Sequence, residues 1–216
     1  MSKFKLAIFD MDGTLIAGRT VFVFAEKKEF KDELLQIINS NKELHRKSIE
    51  IAKLLKGMNA RELLEIFRNI PLQEHVENVI REIKNKGIKT AIVTDSYQFV
   101  ANDLRERLDI DYAFANNLII EEGIVTGELI VSNKNLKKLF NDCKIHSICK
   151  DHVLKQLCKN LGISESEVIA VGDSAVDTCM IKSAGLGIAF NAPKEVQKHA
   201  DIITSNMSVI LDYIWM

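Results

Sequence analysis

The sequence has only two prolines, no low-complexity stretch and no internal repeat, so its organisation must be inferred from hydrophobic periodicity. It also lacks an excess of positive charge, because 29 Lys and Arg stand against 30 Asp and Glu, a net charge of −1. Proteins that bind the phosphate backbone of nucleic acids usually carry a basic excess. We therefore expect no nucleic-acid partner.

The start of the chain lacks a long hydrophobic run. The apolar stretch before Asp10 is too short for the hydrophobic region of a signal peptide or for a membrane span. The 216 residues, 47% of them hydrophobic, are enough for one substantial core and a small second lobe. We expect a soluble, cytoplasmic protein without a membrane partner.

Cysteines are also few, four in all, and they lie in the second half of the chain, as is usual for reduced thiols of a cytosolic protein. Cys143, His146 and Cys149 have a C-x2-H-x2-C spacing that offers three zinc ligands. A structural zinc site normally needs a fourth ligand and a paired spacing, so ordinary core or loop thiols are favoured. Whether these three residues bind a metal stays open.

Short apolar runs and amphipathic helical patterns alternate along most of the chain. Apolar residues at helical spacing precede the later runs, for example at Val76, Val79, Ile80 and Ile83. This alternation predicts an α/β fold, a Rossmann-like doubly wound parallel sheet with helices on both faces. The predicted buried strands are residues Phe4 to Phe9, Ile88 to Val93, Val168 to Val171 and Leu186 to Phe190.

Two regions depart from this alternation. Residues 17–72 contain no strand signal and predict a small helical bundle inserted after the first strand, so the core domain would comprise residues 1–16 and 73–216. Tyr112 to Val131 carries turn residues between β-type runs and predicts a hairpin. The polar segment 132–149 has no pattern, and a second lid, a dimer contact and a tolerated loop insertion all remain open.

Four aspartates are predicted to gather at one edge of the sheet. Asp10 and Asp12 follow the first strand, Asp173 follows Val168 to Val171, and Asp177 lies one helical turn beyond. Ligands of open α/β sheets bind outside the carboxyl ends of the strands. A single aspartate after a strand is more often a helix cap or turn former, but that explanation is strained for all four together.

Clustered carboxylates repel one another unless a cation holds them, and hard oxygen ligands select Mg²⁺. Four carboxylates, one Mg²⁺ and one lysine carry a summed charge of −1, and protonating one aspartate brings the sum to zero. Such a site accepts a phosphate dianion, whereas the same site without the metal repels one. The residues therefore predict a Mg²⁺-dependent phosphate site.

The order of these residues resembles the haloacid dehalogenase superfamily of phosphotransferases. The resemblance rests on four motifs: Asp10-Met11-Asp12-Gly13-Thr14-Leu15, Thr94 at the end of the next main strand, a lysine that opens a later helix, and Gly172-Asp173-x3-Asp177. The chain is most similar to the phosphoserine phosphatase branch, through residues 109–116, Val125-Thr126-Gly127 and the run from Val168 to Asp201. The similarity covers nearly the whole chain.

The resemblance implies roles for the acids. Asp10 would be the nucleophile that forms an aspartyl-phosphate, and Asp12 would protonate the leaving alcohol and then activate water. Asp12 needs a raised pKa for this role, which we expect from the crowd of like charges. Asp10, Asp173 and the backbone carbonyl of Asp12 would hold Mg²⁺, with Asp177 in support.

The resemblance also implies the groups that hold the phosphate. Gly13 would let the backbone pass close to it, and Thr94 would hydrogen-bond one of its oxygens. Backbone N–H groups of Asp95 and Ser96, at the start of the following helix, would add to this grip. Among Lys144, Lys150 and Lys155, we prefer Lys150 as the lysine that pairs with Asp10, because it keeps the family-like spacing to Leu154 and Leu157.

The inserted helices resemble the family's cap, a lid over the substrate. Phosphoserine phosphatases use an acidic residue and an arginine in this cap, where ungapped placement puts Arg19 and Ile51. Asp95 and Val176 also replace the glycine and asparagine that the branch favours. We therefore expect a small phosphorylated metabolite other than phosphoserine, with an anionic group that meets Arg19; a solvated surface charge is an equal alternative for Arg19.

These observations predict a Mg²⁺-dependent phosphatase. Two alternatives remain open. One is a phosphotransferase or mutase that works through the same aspartyl-phosphate, because the residues do not distinguish water from a sugar hydroxyl as the acceptor. The other is a non-catalytic member that binds a phosphometabolite or a protein, since a fold alone does not specify a function.

Overall fold

The computed structural model describes residues 2–136 and 144–215, which contain a seven-stranded sheet and ten α-helices. The strands are β1 (Leu6–Phe9), β2 (Lys89–Tyr97), β3 (Tyr112–Glu121), β4 (Ile124–Ile130), β5 (Val168–Gly172), β6 (Leu186–Phe190) and β7 (Ile202–Thr204). The strand order is β4-β3-β2-β1-β5-β6-β7, and neighbouring strands are parallel except for the antiparallel pair β3 and β4.

Helices cover both faces of this sheet. Side chains of the fully buried β1 alternate between the faces: Leu6 and Ile8 belong to the core that contains Leu154, and Ala7 and Phe9 to the opposite core. The predicted fold class is therefore confirmed. The helices are α1 (Thr20–Lys27), α2 (Lys31–Asn39), α3 (Leu44–Leu54), α4 (Ala60–Arg68), α5 (Val76–Asn85), α6 (Gln98–Arg107), α7 (Lys150–Leu161), α8 (Thr178–Ser183), α9 (Lys194–Gln197) and α10 (Val209–Ile214).

Strand β2 is longer than the sequence predicts, and this corrects one expectation about the site. Tyr97 pairs with Asn116 of β3 beyond an irregularity after Val93, so the chain stays extended for four more residues. Asp95 and Ser96 therefore belong to the strand, and α6 begins at Gln98. The prediction that these two residues open a helix was wrong.

Helices α1 to α4 lie between β1 and α5, in agreement with the predicted helical insertion. The chain leaves and re-enters the sheet domain at adjacent points, because the Ala17 N–H donates to the Pro71 carbonyl at 2.7 Å and the Gln73 N–H donates to the Leu15 carbonyl at 2.9 Å. We propose this double crossing as the hinge of the cap, and the division at residues 17 and 72 remains a proposal.

The predicted hairpin consists of β3 and β4, with its turn at Glu122 and Gly123. Its far end pairs with the cap, which the sequence did not indicate. The Gly57 N–H donates to the Val125 carbonyl at 2.8 Å, and the Val125 N–H donates to the Met58 carbonyl at 2.9 Å. The edge of the sheet thereby extends into the chain between α3 and α4, so the hairpin joins the sheet to the cap.

The ends of the polar segment 132–149 are tied together beside the sheet. The Asn133 N–H donates to the Ser147 carbonyl at 2.8 Å, and its side-chain amide donates to the His146 carbonyl at 3.1 Å. Cys143 lies outside the described residues, so the zinc hypothesis for Cys143, His146 and Cys149 stays a prediction. None of the helices within 2–136 and 144–215 has the length and apolar character needed to cross a membrane.

Candidate active site

The sheet register brings the first and last sequence motifs together. Phe9 of β1 pairs with Val171 of β5, and the Asp10 N–H donates to the Val171 carbonyl at 2.9 Å. The two strands end side by side, next to the place where the connections run to opposite faces of the sheet. This is the position at which open α/β sheets bind ligands.

Three of the four predicted acids converge at this edge. Carboxylate oxygens of Asp10, Asp173 and Asp177 lie within 4.8 Å of one another, and all three residues are buried. The carboxylate of Asp12 lies outside this group and contacts the cap, although the sequence pattern suggested that all four side chains gather together. The cluster offers only hard oxygen donors, a set that fits Mg²⁺.

Lys150 lies inside this acid cluster. Its ammonium lies 2.5 Å from Oδ1 of Asp10 and 2.5 Å from Oδ1 of Asp177, and only 2% of the residue is exposed. Burial alone would lower the pKa of Lys150, but the two carboxylates outweigh it and raise the pKa above its usual value. The other two candidates lie elsewhere: Lys144 is exposed, and Lys155 pairs with Asp151 at 2.9 Å.

Both carboxylate oxygens of Asp177 accept hydrogen bonds from protein donors. Its Oδ2 accepts hydrogen bonds from the Ser174 N–H at 2.8 Å, the Ser174 hydroxyl at 2.9 Å and the Asp173 N–H at 3.2 Å. Gly172 makes this close packing possible, since a Cβ there would lie 2.4 Å from Cβ and Cγ of Asp177. Asp177 thus connects the loop that carries Asp173 to Lys150.

The carboxyl groups of Asp10 and Asp173 have raised pKa values, because burial and neighbouring carboxylates outweigh the positive charge of Lys150. Burial raises the pKa of Asp10 well above its usual value; Lys150 opposes the shift, while Asp177 and Asp173 add to it. Burial and Asp177 likewise raise the pKa of Asp173, against the influence of Arg19. A bound cation would counter these shifts, because it favours the ionised carboxylates.

Asp12 is positioned by Thr20, the first residue of α1. Its Oδ1 accepts hydrogen bonds from the Thr20 N–H at 3.1 Å and from the Thr20 hydroxyl at 2.5 Å. Burial raises the pKa of Asp12 to about 6, and the Thr20 bonds limit the rise. The like charge of Asp95 makes a smaller contribution, so the expected cause, a crowd of charges, was wrong. Thr20 was missed because only its position at a helix start could have drawn attention to it.

Gly13, Thr14 and Arg19 surround Asp173 from the side of β1. Gly13 has φ +88° and a Cβ there would lie 2.5 Å from Oδ2 of Asp173, so both its backbone and its lack of a side chain are needed. The Thr14 hydroxyl donates to Oδ1 of Asp173 at 3.3 Å. A half-exposed Arg19 donates to Oδ2 of the same acid at 3.2 Å.

The end of β2 forms the other side of the site. Thr94 is fully buried, and its Oγ1 accepts a hydrogen bond from the Ser96 N–H at 3.2 Å. The Ser96 N–H expected to face the phosphate is therefore used within the protein. Asn116 fixes the neighbouring backbone, because its side-chain amide donates to the Asp95 carbonyl at 2.7 Å and to the Ser147 hydroxyl at 2.9 Å.

A cavity of about 470 Å³ opens above Asp12, between the sheet edge and the cap. The cap contributes half of its lining residues, and residues from the ends of the strands form its floor. Lining residues are Asp12, Arg19, Val21, Phe22, Ile38, Leu44, Lys47, Ser48, Ile51, Asp95, Ser96, Tyr97, Leu129, His146, Ser147 and Val176. Six of these residues, Asp12, Arg19, Ile51, Asp95, Ser96 and Val176, agree with positions that the sequence motifs indicate for the site, whereas the sequence indicates His146 only as a zinc ligand.

The chain is similar to known proteins in both sequence and structure. A family model described as haloacid dehalogenase-like hydrolase matches residues 4–185. The phosphoserine phosphatase of Methanocaldococcus jannaschii is 32% identical over 222 aligned residues, which cover 98% of each chain. A solved structure described as a phospho-aspartyl intermediate analogue of phosphoserine phosphatase matches with a TM-score of 0.83 at 30% identity, over 99% of this chain and 100% of that one. A substrate-bound phosphoserine phosphatase complex gives the same TM-score, identity and coverage.

Proposed function

Because this chain belongs to the haloacid dehalogenase-like hydrolase family, we propose that it is a Mg²⁺-dependent phosphatase that hydrolyses a small phosphomonoester through an aspartyl-phosphate. The chain is a phosphoric monoester hydrolase, as its relatives are. The observation that carries the proposed mechanism is the contact of Lys150 with Asp10 beside Asp173 and Asp177.

In the first step, Oδ of Asp10 forms a bond to phosphorus while the bond from phosphorus to the alcohol oxygen breaks. Asp12 donates its proton to the departing alcohol. A pKa of about 6 supports this role, because part of the Asp12 population is protonated near neutral pH. Thr20 holds the carboxyl group in place during the transfer.

In the second step, Asp12 takes a proton from water, whose oxygen bonds to phosphorus as the bond to Asp10 breaks. Inorganic phosphate leaves, and both aspartates return to their starting state. Lys150 orients Asp10 and offsets the charge that develops on the transferred group. Asp177 is proposed to hold Lys150 and the Asp173 loop in position.

The carboxylates of Asp10 and Asp173 and the backbone carbonyl of Asp12 would hold the Mg²⁺, with Asp177 in support. When bound, the metal supplies the positive charge that allows a phosphate dianion to approach three carboxylates. The donor chemistry and the raised pKa of Asp10 and Asp173 support this assignment.

We assign phosphate contacts to Gly13, Thr94, the backbone N–H of Asp95, and Arg19. The Ser96 N–H is left out, because it already donates to Oγ1 of Thr94. The hydrogen bond from Arg19 to Asp173 supports the assignment of Arg19, because it places the guanidinium at the edge of the sheet where the phosphate would bind. The substrate is proposed to differ from phosphoserine, since Arg19 and Ile51 stand where that branch has an acidic residue and an arginine.

Hydrolysis of a generic aryl phosphate, with Mg²⁺ and after complete chelation, tests the proposal. We expect release of alcohol and inorganic phosphate in equal amounts with Mg²⁺ and none without it. Asp10→Asn should lose at least about 10³-fold in kcat, whereas Asp32→Asn, an exposed carboxylate in the cap, should keep full activity. Turnover after chelation, or an active Asp10→Asn variant, would disprove the mechanism.

A further inference from the structure

The cavity above Asp12 has an apolar wall. Of the eight lining residues that the segment between residues 17 and 72 contributes, five are apolar. These five, which we call the apolar wall, are Val21, Phe22, Ile38, Leu44 and Ile51. Leu129 of the hairpin and Val176 beside the acid cluster continue the apolar surface on the other sides of the cavity.

The charged side chains that line this cavity either lie at the sheet edge, beside the proposed reaction centre, or already form contacts within the protein. Among the lining residues that the structure describes, the carboxylates are Asp12 and Asp95, both at the sheet edge. The Lys47 ammonium donates to the Ile38 carbonyl at 2.5 Å, and Arg19 pairs with Asp173. Burial lowers the pKa of His146, which favours its neutral form.

An ester that carries both an ammonium and a carboxylate fits this cavity poorly. Its ammonium would lose water against the apolar wall without a carboxylate from the cap to replace it. Its carboxylate would find one cation of the cap besides Arg19, and that ammonium, of Lys47, is already drawn to the Ile38 carbonyl. A hydrocarbon body, in contrast, gains free energy by leaving water for this surface.

We propose that the substrate is a phosphomonoester of an apolar alcohol, whose branched aliphatic or aromatic body packs on the apolar wall. This inference rests on the proposed phosphatase function and names its substrate class. The volume of 470 Å³ lies within the usual range for small-molecule sites. The anionic group that Arg19 meets is then the phosphate itself, because Arg19 lies at the Asp173 end of the cavity.

Two primary alkyl esters test the substrate class without the advantage of an activated aryl leaving group. We expect kcat/KM for 3-methylbutyl phosphate to exceed that for O-phosphoserine by about 100-fold, because discrimination per methylene in an apolar pocket is about 10-fold or more. Equal or better turnover of O-phosphoserine would overturn the inference and leave the phosphatase function intact. Failure to hydrolyse even an aryl phosphate with Mg²⁺ would overturn the function as well.

Variants of the apolar wall provide a second test. Ile51→Arg should lower kcat/KM for 3-methylbutyl phosphate by about 10-fold or more and should reduce the preference over O-phosphoserine. Leu35→Arg, at an exposed position on α2 of the same helical region, is the matched control and should leave both values unchanged.

Phe22→Ala keeps the test decisive if Ile51→Arg does not fold. Loss of the ring should again lower kcat/KM for the apolar ester about 10-fold and should reduce the preference over O-phosphoserine. If folded variants at both positions keep the wild-type ratio of the two esters, the apolar wall does not contact the substrate and the inference is wrong.

Discussion

The ammonium of Lys150 lies 2.5 Å from Oδ1 of Asp10, although the two residues are 140 positions apart in the chain. The same ammonium lies 2.5 Å from Oδ1 of Asp177. One buried cation therefore joins the end of β1 to the loop after β5. A buried charge is tolerated only where opposite charges and hydrogen bonds compensate it, so these three residues depend on one another.

Lys150→Met keeps much of the side-chain volume and removes the charge. We expect kcat on an aryl phosphate to fall about 100- to 1,000-fold, because a preorganised charge at the transferred group is lost. Circular dichroism should establish that the variant is folded. Lys144→Ala is the control and should retain wild-type kcat; equal activity of the Lys150 variant would refute its proposed role.

Mg²⁺ should stabilise the folded protein, since the site exists only when β1 and β5 are paired. At a Mg²⁺ concentration about 100 times Kd, the expected gain in the free energy of unfolding is about 2.7 kcal/mol. Thermal unfolding with and without Mg²⁺ measures this gain independently of activity. Asp173→Asn should lose most of it, and a Tm rise as large as that of the wild type would contradict the assigned metal site.

Thr20→Val should impair catalysis without removing any reacting group. The Thr20 hydroxyl holds Oδ1 of Asp12 at 2.5 Å, and valine keeps the shape but not the hydrogen bond. We expect about a 10-fold lower kcat, at the low end of the effects of general acid–base groups. Thr20→Ser should restore most of the activity, whereas a purely structural role would make the serine variant no better than the valine variant.

Gly172→Ala should damage the site through packing. A Cβ at this position meets Asp177 at 2.4 Å, so Asp177 or the strand must move. Overpacking of this kind costs about 1–3 kcal/mol of stability, and kcat should fall with it because Asp177 contacts Lys150. Gly87→Ala, where a Cβ meets nothing within 4 Å, should lower stability through its backbone φ of +72° and leave kcat unchanged.

Much of the fold follows from local patterns in the sequence. The buried strands, the helices between them, the helical insertion and the hairpin agree with the periodicity, and the family agrees with the spacing of the motifs. Errors arose where a partner strand overrode local signals. Tyr97 extends β2 through its pairing with Asn116, and no residue near Asp95 indicates this.

The sequence by itself determined which groups we propose for the chemistry, namely the four aspartates and a lysine at the start of α7, because motif spacing and helix signals are local properties. Only the tertiary structure decided that Asp12 leaves the acid cluster to contact Thr20 and that Lys150 bridges Asp10 and Asp177. It also decided that the cavity wall is apolar. These features depend on strand register and on packing between distant segments, which no local pattern encodes.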